Sequence, residues 1–421
     1  MTHTVMTFLA KVKPEKRDAL RALLAEIGDK PEDNAYIPFR KLALLHFASL
    51  VLHESQPDYG FYLIFENNFD GALAPYLDDL YRQAADGLHQ IYSSCQDYTV
   101  TNAGDRAGML SYLKAHVVLP NAYHIGNTGR GAQRILQERD LKNTLETAAD
   151  KLVEVGQPRA PRELLDALRN PLRTDPKFAW IPGAGPRQNF MEKAIPWAKF
   201  VLAAVLSVLT LPIWFIPAVV GLLVLRYKES TDSIQLNAAN SDRVRSLVQQ
   251  EDHTQSVGNH MASITIVKEG WLRRFALRTV LWAVNLYVRA TQTHGVLSGI
   301  PSIHFAHWSM IDGGRRLLFL SNFDGSWENY LDDFIDKAAV GLTGVWSNTV
   351  GFPRTQWLVF GGARDGPRFK AVARDSQVVT NAWYSAYRDV TVQGIDNSSS
   401  LREDIYSPLD TRAAEACLQR L

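Results

Sequence analysis

Leu45-His46-Phe47-Ala48 returns as Ile303-His304-Phe305-Ala306, and Asn68-Phe69-Asp70-Gly71 returns as Asn322-Phe323-Asp324-Gly325. The offset is 258 residues for the first pair and 254 for the second. The difference falls where Glu54 to Gly60 is replaced by the shorter Ile311 to Gly314, as expected of a hairpin tip that changes length freely. Beyond it the register holds. Tyr76-Leu77-Asp78-Asp79 matches Tyr330-Leu331-Asp332-Asp333, Gly87-Leu88 matches Gly341-Leu342, and Ile91-Tyr92-Ser93 matches Val345-Trp346-Ser347. Upstream, Lys11 is aligned with Lys268. Downstream, Val118, Asn121, Ala122, Gln133, Ile135 and Leu141 match Val378, Asn381, Ala382, Gln393, Ile395 and Leu401 at a constant 260. An internal repeat of this length governs the whole architecture.

Each copy reads as alternating elements. Val5 to Val12 is β-prone, and Pro14 to Ile27 carries Leu20, Leu23, Leu24 and Ile27 at helical spacing, with Pro14 fit for a first turn and Gly28 for a stop. Lys41 to His53 and Tyr59 to Glu66 are two strands around a turn at Gln56-Pro57-Asp58; Leu73 to Leu88 is a helix, and Ile91 to Tyr98 a last strand. The order β-α-β-β-α-β is the ferredoxin-like, split βαβ arrangement. In the second strand Leu42, Leu44, His46, Ala48 and Leu50 fall on one face and Ala43, Leu45, Phe47, Ser49 and Val51 on the other, both mostly apolar. One helix layer covers one face, so the sheet of the other copy is expected to cover the second.

The expected fold class is therefore α+β: two tandem ferredoxin-like repeats packed as an intramolecular α+β barrel with an inserted apolar membrane segment. The repeats with their C-terminal extensions take residues 1–155 and 259–421, with linkers at 156–199 and 226–258. This resembles the dimeric α+β barrel superfamily with its two subunits fused, on element order and duplication over roughly residues 5–100 and 262–350.

Phe200 to Leu225, FVLAAVLSVLTLPIWFIPAVVGLLVL, runs without a charge. About 20 such residues cross a bilayer. Lys193 and Lys199 before it are balanced by Arg226 and Lys228 after it, which gives no orientation. A single span would separate the two copies. Pro212 and Pro217 instead allow two arms of ~12 and ~8 residues, a re-entrant hairpin that keeps the copies together, with a kinked span as the rival. Trp271 to Ala290 places Arg274, Arg278, Asn285 and Arg289 on one stripe of a helix, suited to a membrane interface or to an ordinary solvated face. Met1 to Lys16 shows no cleavable signal pattern. The expectation is a membrane-associated chain, its soluble parts cytoplasmic, with membrane lipid as a partner and its oligomeric state open.

Composition narrows the chemistry. The chain has 421 residues, room for two or three domains, with 45 Lys plus Arg against 44 Asp plus Glu, so no global field attracts nucleic acid. Cys95 and Cys417 alone cannot form a disulfide framework or a Cys-rich metal site, which fits a reducing compartment.

His46 and His304 hold equivalent strand positions and are the first candidates for iron ligation or acid–base work, or for hydrogen-bonded core histidines preserved by duplication. Asp70 and Asp324, each followed by Gly between a strand and the next helix, read as helix caps, with a catalytic acid as the alternative. Asp78-Asp79 and Asp332-Asp333 read as solvated helix faces. Gly126-Asn127-Thr128-Gly129-Arg130-Gly131 supplies backbone N–H groups and a cation, an anion cradle or a flexible loop; it lacks a P-loop ending, and the second copy has Ala386 to Thr391 there. His124 and Arg130 are asymmetric polar groups beside it. No Ser-His-Asp elbow or His-Glu-x-x-His helix appears.

The superfamily that the chain resembles includes the haem-binding dye-decolorising peroxidases and chlorite dismutases. That resemblance implies haem, with His46 or His304 as iron ligand, His124 nearby, Arg130 or Arg315 polarising a peroxide, Asp324 as an acid, and an apolar or lipid-soluble substrate. Asn-Phe-Asp-Gly shares only its last two residues with the Gly-x-x-Asp-Gly signature of the former. The alternative is a non-catalytic, membrane-anchored module that binds lipid or protein.

Overall fold

A computed structural model describes residues 2–54, 59–154, 160–181, 190–232, 241–252, 256–291, 296–407 and 409–421. The turn expected at Gln56-Pro57-Asp58 lies outside them. The first half runs β1 (His3–Val12), α1 (Arg17–Asp29), β2 (Leu45–Glu54), β3 (Phe61–Asp70), α2 (Leu73–Tyr92), α3 (Arg106–Ala115), β4 (Val117–Val118), β5 (Ala122–Ile125), α4 (Ala132–Glu154) and α5 (Pro161–Thr174). Then come α6 (Phe190–Leu209), α7 (Leu211–Thr231) and α8 (Ser241–Asp252). The second half runs β6 (Gly258–Ile266), α9 (Trp271–Thr291), β7 (Ile303–Ile311), β8 (Arg316–Asp324), α10 (Trp327–Trp346), β9 (Thr355–Gln356), β10 (Phe360–Gly361), α11 (Gly366–Ser376), β11 (Gln377–Val378), β12 (Ala382–Ser385), α12 (Val392–Ile405) and α13 (Thr411–Leu418).

The molecule is a mixed α and β structure with antiparallel sheets. One five-stranded sheet has the order β12-β2-β3-β1-β4 and the other β11-β6-β8-β7-β5. Each half lends its late strand to the other: β12 pairs with β2 and β5 with β7. Asn381 and Asn121 tie the exchanged strands in the same way, their Oδ1 atoms accepting from Leu52 N and Met310 N at 2.7 Å.

Both faces of the sheets are covered. Helices bury one face of the first sheet over Phe8, Leu24, Leu50, Phe65 and Leu88, and one face of the second over Leu277, Leu281, Trp308, Phe319 and Leu331. The remaining faces meet each other, Phe47 and Val5 packing with Phe305 and Tyr387, and Val51 and Ile64 with Leu318 and Leu320. Burial of that apolar area, at roughly 25 cal/mol per Å², is what joins the halves.

Several local expectations change. Ile91 to Tyr98 forms no strand: Leu80, Ala84, Leu88 and Ile91 continue a buried helical spacing, so α2 runs to Tyr92, and only Cys95 makes an isolated bridge to Val12. β4 instead completes that edge of the sheet. Lys268 corresponds to Lys13, not Lys11. Lys13 Nζ donates to Ser93 O at 3.0 Å and Lys268 Nζ to Ser347 O at 2.8 Å. The expected linkers contain α5 and α8. Leu165, Leu168 and Leu172 of α5 pack with Leu141 and Leu145 of α4 and Leu401 of α12 in a separate helical core.

The apolar segment forms two long helices. The break falls at Thr210; Pro212 opens α7, where a missing N–H costs nothing, and Pro217 stays inside it. The arms are therefore longer than the ~12 and ~8 residues expected from the two prolines, and α7 is long and apolar enough to cross a membrane. From Trp197 to Val224 the side chains are exposed except half-buried Phe200, Ala203 and Gly221. At the break, Thr210 Oγ1 donates to Leu206 O at 2.6 Å and Trp214 Nε1 to Ser207 O at 2.9 Å. Both helices lie against α9. The foot of α7 is fixed by Glu229, whose buried carboxylate accepts from Thr355 Oγ1 (2.6 Å), Trp357 N (2.9 Å) and Leu358 N (2.8 Å). The exposed face of α9 carries Trp271, Phe275 and Trp282 beside Arg278, so its apolar residues are not all turned inward from the arginine stripe.

Candidate functional site

His46 and His304 both sit on β-bulges. Leu45 lies opposite Phe69 and Phe47 opposite Asn68, leaving His46 as the extra residue; His304 is the extra residue between Ile303 and Phe305. A bulge re-aims a side chain and shifts the alternation by one. Strict alternation puts His46 with Ala48 and Leu50, but the bulge turns it inward beside Phe47, Ser49 and Val51, while Ala48 and Leu50 face the helices. The two histidines therefore converge on the space between the sheets. His46 stands 5.3 Å from the Phe305 ring, and His304 lies 5.0 Å from Phe47 and 5.7 Å from Tyr387.

Each histidine holds an aspartate. His46 Nε2 lies 3.0 Å from Asp70 Oδ1, and His304 Nε2 lies 2.7 Å from Asp324 Oδ1. The other carboxylate oxygens cap helices, as expected in kind but on a different helix. Asp70 Oδ2 accepts from Ala132 N at 2.9 Å, at the start of α4, and Asp324 Oδ2 from Val392 N at 2.8 Å, at the start of α12. The helix that follows each Asp-Gly in sequence begins on Ala72 and Ser326 instead. A carboxylate at a helix N-terminus gains from unpaired N–H groups and the helix dipole.

The first of the two sites is richer. His46 Nδ1 lies 2.9 Å from Tyr387 Oη, and His3 Nδ1 lies 3.0 Å from Asp70 Oδ1 while its Nε2 accepts from Gly129 N at 2.8 Å. Gly258 stands opposite Asp324 where His3 stands opposite Asp70. The proton positions follow from the partners. Asp70, ionised, needs donors, so His46 carries hydrogen on Nε2 and accepts the Tyr387 O–H on Nδ1. His3 accepts on Nε2, so its hydrogen is on Nδ1. Burial lowers the His46 pKa, against the pull of Asp70. Burial alone would raise the Asp70 pKa, but the hydrogen bonds and charges of His3 and His46 hold it far below the usual carboxylate range. Burial lifts the Tyr387 hydroxyl well above its ordinary value, so it stays a neutral donor.

Between the two ends of the interior lies a second polar cluster, which sequence reasoning missed. Glu66 is fully buried and accepts from Ser49 Oγ and His260 Nε2 at 3.0 Å each, from Asn68 Nδ2 at 2.9 Å and from Asn322 Nδ2 at 3.1 Å. His307 Nδ1 is 3.6 Å away, and His307 Nε2 is 3.1 Å from Thr7 Oγ1. Burial pushes the Glu66 carboxyl up, yet the bond and charge of His260, the charge of His307 and the Asn68 bond bring it down to about 2. A signal was present. Tyr62 to Asp70 reads YLIFENNFD against RLLFLSNFD in Arg316 to Asp324, so Glu66 replaces Leu320 in a strand covered on both faces, and a carboxylate there requires partners.

The other expected site residues lie elsewhere. His124, on β5, faces the helix side of the second sheet. It is buried, has no hydrogen-bond partner on either nitrogen among the described residues, and has its pKa lowered by burial to about 3. Arg130 pairs with Asp396, which Asn127 Nδ2 also reaches at 3.0 Å, so it faces α12 and not the histidines. Arg315 is exposed and its Nε donates to Asp312 O at 3.1 Å. Gly129 N and Ala132 N do meet acceptors, His3 and Asp70, so the Gly126 to Gly131 loop is folded onto internal partners.

These residues do not fit haem as placed. Both nitrogens of His46 are engaged, one nitrogen of His304 holds Asp324, and Phe47, Phe305 and Tyr387 pack against the two imidazoles and each other at 5.0–5.8 Å. His3, His46 and Asp70 have ligand atoms within 4.8 Å of one another, a spacing compatible with a metal ion. Of these, His46 Nε2 and Asp70 Oδ1 hydrogen-bond each other at 3.0 Å, while buried His3 Nδ1, 3.0 Å from Asp70 Oδ1, has no hydrogen-bond partner among the described residues. Comparison with models of protein families, with curated proteins and with solved structures finds no match.

Proposed function

We propose that the chain is a membrane-anchored, non-catalytic module, its strand-exchanged body held against one face of a bilayer by α6 and α7. One observation carries this. The exposed apolar stretch from Val201 to Val224 leaves the body and returns to it, with both helices resting on α9 and α7 fixed through Glu229. The exchange of β5 and β12 keeps the halves on the same side, which argues for a helical hairpin over a single kinked span. Trp271, Phe275 and Trp282 on α9, with Arg278 between them, form an interfacial face suited to lipid headgroups. The bonds of Thr210 and Trp214 to carbonyls at the break supply partners that lipid lacks.

The fold reading beneath this is that the halves are ferredoxin-like repeats closing an intramolecular α+β barrel. The matched registers, the paired bulges at His46 and His304 and the paired caps by Asp70 and Asp324 support it. The interior polar groups then act as a rigid lock between the sheets and not as a catalytic centre. The buried thiols of Cys95 and Cys417 favour the cytoplasmic face.

Membrane fractions settle the matter. The full chain should pellet with membranes and be released by detergent but not by high salt, and deletion of residues 200–225 should leave both halves in the soluble fraction. In sealed vesicles, protease should reach both halves from one side. Protection of one half only would refute the hairpin.

A further inference from the structure

The interior that ends at His46 and Asp70 on one side has a different mouth on the other. There Arg316, at the start of β8, is 1% exposed. Its Nε donates to Asp312 Oδ2, and its guanidinium packs 4.5 Å from the Tyr59 ring and 4.7 Å from the Tyr62 ring. Asp312 Oδ1 accepts from Tyr62 Oη at 2.7 Å. Neither Nη1 nor Nη2 of Arg316 has a hydrogen-bond partner among the described residues, and neither has the buried Nε2 atom of half-buried His53. Arg316 and His53 both line a cavity of about 160 Å³, together with Ile264, Ile266, Val378 and Arg243. The rim acids are engaged: Glu54 with Arg21, and Asp375 with Arg243 Nη2 at 3.0 Å.

Asp312 balances the charge of Arg316, but two buried amino groups without acceptors among the described residues remain costly until an acceptor completes them. The parallel Nη1 and Nη2 donors match the two oxygens of a carboxylate, and Ile264, Ile266 and Val378 offer an apolar wall to whatever the carboxylate is attached to. The cavity is smaller than the ~300–1,000 Å³ of typical ligand pockets, which limits the body to a few carbon atoms. We propose that this mouth is a binding site for a small organic carboxylate with an apolar body, held by Arg316 and bordered by His53. The duplication supplied the place but not the site, since Tyr62 stands in the first half where Arg316 stands in the second. The site uses no residue of α6 or α7, so it stands or falls separately from membrane attachment.

Butyrate and benzoate titrated calorimetrically into the detergent-solubilised full chain should bind saturably, with Kd on the order of 1 mM or below. Arg316→Met should abolish binding, and Arg316→Lys should weaken it at least ~10-fold because a point charge cannot make both bonds. Ile266→Trp, which fills the cavity and leaves Arg316 in place, should also abolish binding and decides the matter if the Arg316 variants do not fold. Arg315→Met, one residue away and exposed, should bind as the parent does. Absence of binding by both carboxylates at ~10 mM, undiminished binding in Ile266→Trp or a folded Arg316→Met, or binding of inorganic phosphate in preference to either carboxylate would overturn the assignment.

Discussion

Glu66 of the first sheet and His260 of the second meet at 3.0 Å in the fully buried interior, and His260 Nδ1 is in turn 2.8 Å from Thr380 Oγ1. The contact joins the halves by a charge-assisted bond where the duplicated partner strands offer only Leu320 and Val5. Its energetics are those of a buried carboxylate that must keep its donors.

Removing the two partners is therefore expected to have unequal costs. Glu66→Gln keeps an acceptor and removes the charge, and should cost about 1–3 kcal/mol. His260→Ala leaves the carboxylate short of a donor and should cost about 3–5 kcal/mol. Urea denaturation at pH 7 measures both, and a larger loss in Glu66→Gln would reverse this account.

Acid should unfold the protein steeply. Burial lowers the pKa of His53 and His124 to about 3 and of His307 to about 4, against 6.5 in the unfolded chain. Between about pH 4 and 6.5 the unfolded state binds protons that the folded state does not, so stability falls as pH falls, by roughly 1.4 kcal/mol per pH unit for each histidine. Glu66 acts lower: its folded pKa is depressed, so its contribution is complete above 4.5 and lost as pH falls toward about 2. His124→Phe should remove one histidine's share of the slope and stabilise the protein at pH 5. Denaturation midpoints from pH 4 to 7 would show no change in slope if His124 were partnered in solution.

Asp70 should matter more than Asp324. Asp70 serves His3, His46 and the first turn of α4, whereas Asp324 serves His304 and the first turn of α12. Asp70→Ala is expected to cost about 3–5 kcal/mol and Asp324→Ala about 1–3 kcal/mol. Thermal and urea unfolding of the two variants test the order.

Haemin should not be taken up in a histidine-ligated form. Rings pack the space between His46 and His304, and both nitrogens of His46 would first have to leave Asp70 or Tyr387, which leaves Nδ1 of His304 as the one nitrogen of the pair that holds no partner among the described residues. Absorbance during haemin titration checks this, and a Soret band that disappears in His304→Ala would restore the haem reading.

Neither half should fold alone. The first sheet takes β12 from the second half and the second sheet takes β5 from the first. Residues 1–155 expressed by themselves should aggregate through the bare edge of β2, and co-expression of residues 1–181, which keep α5, with residues 226–421 should return soluble protein. Monomeric, cooperative unfolding of residues 1–155 would contradict the exchange.

The amino-acid sequence by itself determined the duplication, the first strands and helices of each copy, the sheet covered on both faces and the apolar segment, because these rest on local composition and on period. Tertiary structure decided the rest. The bulge at His46 is set by pairing with β3 and turns the imidazole to the face opposite the one alternation gives. Asp70 caps α4, 62 residues ahead of it, and not the adjacent α2. Glu66 finds His260, and Arg316 finds no acceptor among the described residues for its two amino groups, only once two sheets made from distant segments face each other. Periodicity reports which side of an element is buried. What a buried polar group meets there depends on long-range packing, which no window of sequence contains.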